Sequence, residues 1–423
     1  MIGFLDLVRR NRNYRYVWTG QVVSEIGDHF NNIAVFTLAL RYEGPGLVVS
    51  GVMLSRAIPA IVAGPLAGVF LDRWDRRKIM IASDLIRCLV ALGFVVTLAN
   101  QNTWLLYLLS AILMFASPFF TAGRSAILPR IASEEELHAA TSLTQTTQWI
   151  SLIIGTFTAG AIVSRFGFPA AFIANALSFL VSGVCIWLLK TPAGFRARHL
   201  HPPGGILRPW GDYSRALNYM RSNPLVLGIA LIGVGWATGG GAAQILFTLF
   251  GELVFHRGAA GIATIWGSAG IGLLLGGTLG YWIGARIRFK TYTWTIVVCY
   301  VVHGGAYVIF SQMQSFTLAL IFIALSRAAV AVSSVLNYSQ LLRYVPDEFR
   351  GRVFATNESM VWATMLFSMA LAGIASQYYN PRLIGAVSGL LSSTTAIFWG
   401  WAIMTNRLPD PAARAALAAD PQA

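Results

Sequence analysis

Charged residues are scarce in this chain, and their scarcity excludes an ordinary water-soluble domain. They make up 11% of its 423 residues, whereas soluble domains usually carry about 25%. Apolar residues account for 56% of the sequence. Because this is more apolar surface than a soluble core can hide, we expect the bilayer to be the solvent of much of the chain.

Cysteine is also rare, and the common enzyme motifs are missing. Cys88, Cys185 and Cys299 each lie within an apolar run, and no two of them have the spacing of a metal or redox site. The sequence contains no His-Glu-x-x-His, no Gly-x-Ser-x-Gly and no phosphate-binding Gly-x-x-x-x-Gly-Lys motif. We therefore predict that the protein is not an enzyme and has no catalytic residue, no cofactor and no bound metal.

The positive charge of the chain is not arranged as a nucleic-acid-binding surface. Lysine and arginine outnumber the acids by 31 to 17, which gives a net charge of +14. These bases occur in short groups between apolar runs and do not form one basic patch. Such a distribution is typical of membrane topology, so we expect no nucleic-acid partner.

Twelve apolar segments are long enough to cross a bilayer, which takes about 20 residues. The first six are predicted near residues 15–41, 46–71, 78–99, 103–127, 141–164 and 168–190. The second six are predicted near residues 223–253, 259–285, 291–311, 315–340, 353–378 and 382–404. The fold class predicted from this pattern is an all-α membrane protein with twelve transmembrane helices.

Arginine and lysine are distributed unequally between alternate loops. Of the 31 bases, 23 fall in the N-terminus, one set of loops and the C-terminal tail. Four fall in the opposite loops, at Arg41, Arg165, Arg257 and Arg382. Because cytoplasmic loops carry the excess of bases, both termini are predicted to be cytoplasmic.

An internal repeat divides the segments into two groups of six. At an offset of 212 residues, four positions match four others: Gly64, Gly68, Arg76 and Lys78 fall on Gly276, Gly280, Arg288 and Lys290. The acid Asp72 falls on Gly284, so the second copy lacks the carboxylate. We predict two six-helix halves in the same orientation, as in parallel-repeat transporters.

The predicted parts of the chain follow from the repeat. They are an N-terminal six-helix half (1–190), a cytoplasmic linker (191–222), a C-terminal six-helix half (223–405) and a cytoplasmic tail (406–423). Within the linker, Tyr213, Leu217 and Met220 have the spacing of one helix face, which predicts a short amphipathic helix.

The segment 64–78 combines a glycine-spaced apolar helix with a dense charged end. Gly64 and Gly68 lie about one turn apart, so we expect a neighbouring helix to pack closely on that face. The charges that follow are too dense to enter hydrocarbon, so the helix is expected to leave the membrane there.

Four segments together resemble one branch of the major facilitator superfamily. They are Asn13–Asp28, Gly64–Lys78, Gly123–Pro129 and Val345–Arg352. The branch is the drug:proton antiporter-like group that includes macrolide efflux proteins and the enterobactin exporter. The resemblance implies a secondary transporter of the bacterial inner membrane that exports a small amphipathic drug, macrolide or siderophore by proton antiport with alternating access. Its expected partners are that substrate, protons and the lipid bilayer, and we expect a monomer.

The resemblance also implies a cytoplasmic gating latch. Its members would come from the second span, the charged loop after it and the fourth span, namely Gly64, Gly68, Asp72, Arg73, Arg76 and Arg124. One position departs from the family's pattern. Gly155 in the fifth span is followed by Thr156, where the antiporters have proline.

Acids inside the predicted spans are candidates for function, because a charge at mid-bilayer costs about 2.5–3.5 kcal/mol. Asp28 lies near the middle of the first span, and Glu25 lies one turn earlier on the same face. We predict that these two couple protons or bind substrate; the alternative is that Asp28 is a structural hydrogen-bond acceptor. Glu358 is the corresponding candidate in the second half, where pairing with Arg327 is an alternative.

Four further residues are candidates for lining a substrate cavity: Arg56, Trp149, Trp236 and Trp362. Arg56 lies near the outer end of the second span, where it can bind an anionic group or extend to the interface. The tryptophans lie deeper in their spans than the interfacial belt in which tryptophan usually occurs.

Two other functions also fit the sequence. Glycine-rich helices and the missing proline after Gly155 are compatible with a lipid or lysophospholipid facilitator, or flippase. A non-transporting sensor on the same fold would share the apolar segments, although the intact 64–78 segment and Asp28 argue against it.

Overall fold

The computed structural model describes residues 4–41, 45–100, 102–190, 209–284 and 287–408, and all regular structure in these ranges is helical. The first helices are α1 (Phe4–Arg10), α2 (Arg12–Ala39), α3 (Pro45–Arg73), α4 (Arg76–Asn100), α5 (Thr103–Ile131) and α6 (Glu134–Trp187). The later helices are α7 (Pro209–Ser222), α8 (Pro224–Leu249), α9 (Gly258–Gly284), α10 (Phe289–Gln312), α11 (Phe316–Tyr344), α12 (Asp347–Ala375) and α13 (Pro381–Met404). A π-helical turn, Phe250–Val254, follows α8. Residues 191–208 of the predicted linker and residues 409–423 of the predicted tail lie outside the described ranges.

The described helices account for twelve membrane crossings. Ten segments are long and apolar enough to span a bilayer. One of them, Thr146–Trp187, has 42 residues, or about 63 Å of helix, which is twice the hydrocarbon thickness of about 30 Å. Gly167 interrupts this segment with a φ of 78°, so it crosses twice, as the predicted fifth and sixth spans. The twelfth crossing is α2, which has 28 residues but is more polar than the ten.

Side-chain caps hold the helix junctions of the first half together. The Asn11 carboxamide oxygen accepts a hydrogen bond from the backbone of Tyr14 at 2.9 Å and caps α2. The Asn11 amide donates to the carbonyl of Ile131 at 2.6 Å and to Glu136 at 2.9 Å. Glu136 also forms a capping box with Ser133 at the start of α6. The α1–α2 junction is therefore tied to the α5–α6 junction.

The helices form two compact units. The first comprises Met1–Gly205 and Phe247–Gly267, and the second comprises Ile206–Leu246 and Ser268–Ala423. In the first unit α2 packs on α6, α3 packs on α5, and α4 contacts both α5 and α6. In the second unit α10 packs against α11 and α13, and α7 packs against α12.

The predicted amphipathic helix of the linker corresponds to α7. Its Met220 is fully buried, and Tyr213 and Leu217 are half-buried. The Tyr219 ring stacks on Phe349 of α12 with centroids 4.6 Å apart. The apolar face of α7 is therefore covered, at least in part, by protein.

The glycine-spaced face of α3 does not pack as predicted. A Cβ atom added at Gly64 or Gly68 would meet no atom of the described residues within 4 Å, so the expected close packing of these two glycines is wrong for the described part of the chain. The buried residues of this part of α3 are Ala63, Ala67 and Leu71. The contact with α5 therefore uses a face turned by one residue from the glycines.

The corresponding glycines of α9 do pack closely. A Cβ atom at Gly276 would press on the backbone of Ala328 in α11, and a Cβ atom at Gly280 would lie 3.1 Å from the Cα atom of Val332. The two copies of the repeat therefore use the same glycines differently, which leads to a test.

We predict opposite effects of alanine at the two matched positions. Gly276→Ala should lower the stability of the protein by about 1–3 kcal/mol, because the new methyl group overpacks the α9–α11 contact. Gly64→Ala should leave stability unchanged or raise it by up to about 1 kcal/mol, since it fills open space and favours the helix. Thermal unfolding of the two purified variants measures both effects; equal melting temperatures would contradict the packing described for α9.

Candidate functional site

Six carboxyl and guanidinium side chains of α2 to α5 lie more than one helical turn from either end of their helix. They are three acids and three arginines: Glu25, Asp28, Asp84, Arg56, Arg87 and Arg124. Charges at this depth are expensive unless they are paired. With every group ionised, the set has no net charge.

Glu25 of α2 and Arg124 of α5 form an ion pair. The Arg124 guanidinium donates to Glu25 Oε1 at 3.1 Å, and the two side chains are 7% and 20% exposed. The Gln21 amide donates to the same carboxylate oxygen at 2.9 Å and to the carbonyl of Thr144 at 3.1 Å. Arg124 therefore joins α5 to α2, and Gln21 extends this contact to α6.

Asp84 and Arg87 form a second ion pair, within α4. Both side chains are almost fully buried, and the pair has i, i+3 spacing on one helix face. The Arg87 guanidinium also lies 4.7 Å from the ring centre of Phe120 and 4.4 Å from that of Phe179, which is cation–π distance. These two residues were not among the predicted site residues, although two opposite charges one turn apart in an apolar run were a usable signal.

Asp28 has no ion pair and no hydrogen bond from a side chain within the described ranges. Its Oδ1 atom is buried without a hydrogen-bond partner there. It interacts electrostatically with Arg87 and Arg56 and also with the acids Glu25 and Asp84. The predicted neighbour Glu25 is thus near, but Glu25 is bonded to Arg124.

Close helix packing places Asp28 in this polar interior. A Cβ atom at Gly27 would overlap Ser178 and approach Asn175 Oδ1 at 2.8 Å, so glycine lets α2 lie against the second segment of α6. Both amide atoms of the fully buried Asn31 lack a partner among the described residues. The interior around Asp28 therefore offers several unsatisfied polar atoms.

Arg56 of α3 interacts electrostatically with Asp28. Its guanidinium donates a hydrogen bond to the side-chain oxygen Oδ1 of Asn32 and lies 5.8 Å from the ring centre of Phe36. Its Nη1 atom is buried without a hydrogen-bond partner in the described chain. Arg56 therefore faces inward, as expected of a residue that lines a binding site.

The charged loop between α3 and α4 is tied to neighbouring helix ends. Arg76 donates to the carbonyl of Ala126 at 2.8 Å, and Arg77 donates to the carbonyl of Ile186 at 3.1 Å. Arg73 is exposed, and the Asp72 side chain lies outside the described part. The pairing seen for Arg124 is with Glu25 and not with this loop.

The candidates of the second unit do not form one site. Glu358 is exposed and has no ion pair among the described residues, so the alternative pairing with Arg327 is absent there. Arg327 is buried beside His303 and Tyr307, and His303 Nδ1 contacts Ser326 Oγ at 2.7 Å. His303 is therefore a satisfied core histidine.

The tryptophan candidates lie in different surroundings. Trp149 in α6 and Trp362 in α12 are each 40% exposed. Trp236 in α8 packs against Gly240, and its indole nitrogen is buried without a partner in the described chain. A cavity of about 520 Å³ lies between α8, α12 and α13, and none of the predicted cavity residues lines it.

We predict that the Glu25–Arg124 pair behaves as a unit. Arg124→Gln should destabilise the protein by somewhat less than the about 3–5 kcal/mol expected for a fully buried pair, because it leaves the Glu25 carboxylate without its cation. The double variant Glu25→Gln with Arg124→Gln should recover part of the loss. Thermal unfolding of the two single variants and the double variant gives the coupling; additive effects would show that the ion pair has no energetic role.

Comparisons with known proteins agree with this architecture. Residues 17–338 match the family model described as Major Facilitator Superfamily. The chain is 25% identical to the uncharacterised MFS-type transporter YfiS of Bacillus subtilis, with 91% of this chain and 92% of the relative covered. It is 24% identical to macrolide efflux protein A of Streptococcus pyogenes, with 90% and 93% covered.

The fold is shared with solved transporters. The structure of the POT family transporter PepTSo aligns with a TM-score of 0.72 at 12% identity, and 95% of this chain and 99% of that chain are covered. At this level of identity the likeness concerns the fold alone.

Proposed function

Because the chain belongs to the major facilitator superfamily, it is a multi-pass membrane transporter of small molecules, and we propose that it exports a small amphipathic molecule in exchange for protons by alternating access. The direction is supported by the similarity to macrolide efflux protein A over nearly the full length of both chains. A drug, a macrolide or a siderophore-like molecule is the proposed substrate class.

One observation carries the proton part of the proposal. Of the three acids in the interior of α2 to α5, Glu25 is paired with Arg124 and Asp84 is paired with Arg87. Asp28 alone among these three has no such pair in the described chain, and one of its oxygens is buried without a partner. Asp28 is therefore the acid whose proton can be gained or lost without breaking an ion pair.

Two opposing effects act on the charge of the Asp28 carboxyl group. Burial without a partner penalises the carboxylate, so it favours a bound proton. Arg87 and Arg56 act electrostatically on the same group and favour the ionised form. A coupling acid needs this balance, because it must load and release its proton within one cycle.

The cytoplasmic latch is part of the proposal. Arg76 already joins the α3–α4 loop to α5 through the carbonyl of Ala126. In the proposed cycle Asp72, Arg73 and Arg76 break and re-form contacts at this end of the helices, and the open space at Gly64 and Gly68, one to two turns earlier on α3, gives a neighbouring helix room to move.

A lipid or lysophospholipid facilitator is the second candidate, and one observation favours it. The cavity between α8, α12 and α13 is lined mainly by apolar side chains, including the exposed Phe367, Leu371 and Leu383. In a bilayer these side chains contact lipid, so an acyl chain can enter the cavity from the side.

We predict that both termini are cytoplasmic. A reporter fused after residue 205 should lie in the cytoplasm, and a reporter fused near residue 256 should lie outside, because 23 bases fall on the proposed inner side. Alkaline phosphatase and fluorescent-protein fusions at both positions measure this. Finding both positions on one side of the membrane would contradict the order of spans.

We predict that Asp28→Asn uncouples transport. The amide keeps the shape of the protonated acid, so the variant should bind a macrolide and exchange it down its gradient but fail to accumulate it against one. The measurement is uptake of radiolabelled erythromycin into inside-out vesicles or proteoliposomes, with and without an imposed pH gradient.

The matched control is Asp6→Asn, which changes an exposed acid of α1 outside the spans and should transport like the unmodified protein. Normal uphill transport by Asp28→Asn would move the coupling role to Glu25 or Glu358. Loss of erythromycin binding would make Asp28 a substrate ligand. If the unmodified protein moves a lysolipid but no macrolide, the second candidate is correct, and if it moves neither, a sensor role is favoured.

A further inference from the structure

A cavity in the first unit lies at the helix ends opposite to the loops that carry most of the bases. Its volume is about 540 Å³, within the range of small-molecule sites. It is enclosed by the end of α2, the break in α6 and the segment between α8 and α9. Among the described residues, the charged side chains that line it are Arg41, Glu252 and Arg257. Two of the four bases on the sparsely charged side of the sequence thus meet at one cavity.

The backbone around the cavity has an unusual shape. Gly167 and Gly258 have φ values of 78° and 56°, which glycine adopts without steric cost. Glu252 lies in the π-helical turn Phe250–Val254, and such turns often occur at functional sites. A Cβ atom on Gly258 would lie 3.6 Å from Glu252 Oε2, so this left-handed turn lies directly beside the carboxylate.

The Glu252 carboxylate lacks a donor within the described ranges. Its Oε2 atom is buried and has no hydrogen-bond partner there. A buried acceptor without a donor loses the favourable free energy of its hydration, and the loss is larger for a charged group. A ligand that brings an N–H donor would remove this cost.

The Arg41 guanidinium offers donors to the same cavity. Its Cζ atom lies over the Phe168 ring, 4.5 Å from the ring centre. No described residue accepts a hydrogen bond from its N–H groups. These groups have the geometry that binds a carboxylate or phosphate with two hydrogen bonds.

We infer that this cavity binds a zwitterionic group, with the ligand's ammonium at Glu252 and its carboxylate or phosphate at Arg41. A simple anion would be repelled by Glu252 and would leave its Oε2 atom unsatisfied. A simple cation would meet two guanidinium groups. A ligand with both charges satisfies both sides, and its source is either a free amino acid or peptide or an ethanolamine phospholipid head group. The site is separate from Asp28, and its test requires no transport.

The experiment measures binding to the purified full chain in detergent. The zwitterionic probes are dialanine and dihexanoyl-phosphatidylethanolamine, and the probes with a negative charge only are acetate and dihexanoyl-phosphatidylglycerol. We expect at least one zwitterionic probe to bind in calorimetry and to raise the melting temperature, while neither anionic probe does. Dialanine binding alone identifies a soluble ligand, and binding of the lipid alone identifies a head group.

Three variants locate the site. Glu252→Gln and Arg41→Gln should each raise the Kd of the zwitterionic probe by about 10-fold or more, because each removes one charged hydrogen bond. Arg165→Gln is the matched control, since Arg165 is an exposed base in the same set of loops but does not line the cavity; it should leave the Kd unchanged. If Glu252→Gln does not fold, Arg41→Gln, at an exposed residue, still decides the result.

Three outcomes would overturn the inference. One is that no probe binds at millimolar concentration. Another is that the anionic probes bind as tightly as the zwitterions or bind more tightly to Glu252→Gln, which would identify an anion site. The third is an equal loss of binding in Arg165→Gln, which would show only a general effect of surface charge.

Discussion

The cost of a charge in hydrocarbon is the constraint on which the first unit is built. Three acids and three arginines lie in the interior of α2 to α5, and two of the acids are held by arginine at hydrogen-bond distance. Removing one member of such a set leaves its partner as an uncompensated charge in a medium that solvates it poorly. The Glu25–Arg124 pair joins two helices and therefore constrains the rotation of α2 and α5 about their axes, whereas the Asp84–Arg87 pair lies within α4 and contacts α5 and α6 through the rings of Phe120 and Phe179. That rotation in turn determines which polar atoms face Asp28.

The repeat shows how the two copies have diverged physically. In α9, Gly276 and Gly280 let the helix lie against the backbone of α11, a contact that resists movement because there is no side chain to rearrange. In α3, the matched Gly64 and Gly68 face open space. Small residues there leave room for another surface to approach and withdraw. A latch needs such room, so the open glycines agree with the proposal that gating belongs to the first copy.

Hydropathy predicted the crossings well because it is a local property of each segment. The break between the predicted fifth and sixth spans was readable as well, since Gly167 and Pro169 stand at that point in the sequence. Partners were less predictable, because they depend on helix rotation and on contacts between distant segments. Spacing placed Glu25 beside Asp28, but the partner of Glu25 is Arg124, 99 residues away. The resemblance placed Arg124 in the latch, but the partner of Arg124 likewise depends on the rotation of its helix. The cavity between Arg41 and Glu252 depends on two segments that no periodic pattern in the sequence connects.

The charge balance of the first unit bears on how a proton could drive movement. With all six groups ionised the set is neutral, so a proton on Asp28 adds one net positive charge to the interior. The attraction of Arg87 and Arg56 for Asp28 is then lost, while Arg87 retains Asp84 and Arg56 retains Asn32. Both arginines have another partner, so protonation of Asp28 leaves neither guanidinium without a partner. It changes only the relative free energies of two arrangements of the helices. A bistable element with a small free-energy difference is what a proton can switch. In this view the pairs that surround Asp28 matter to coupling as much as Asp28 does.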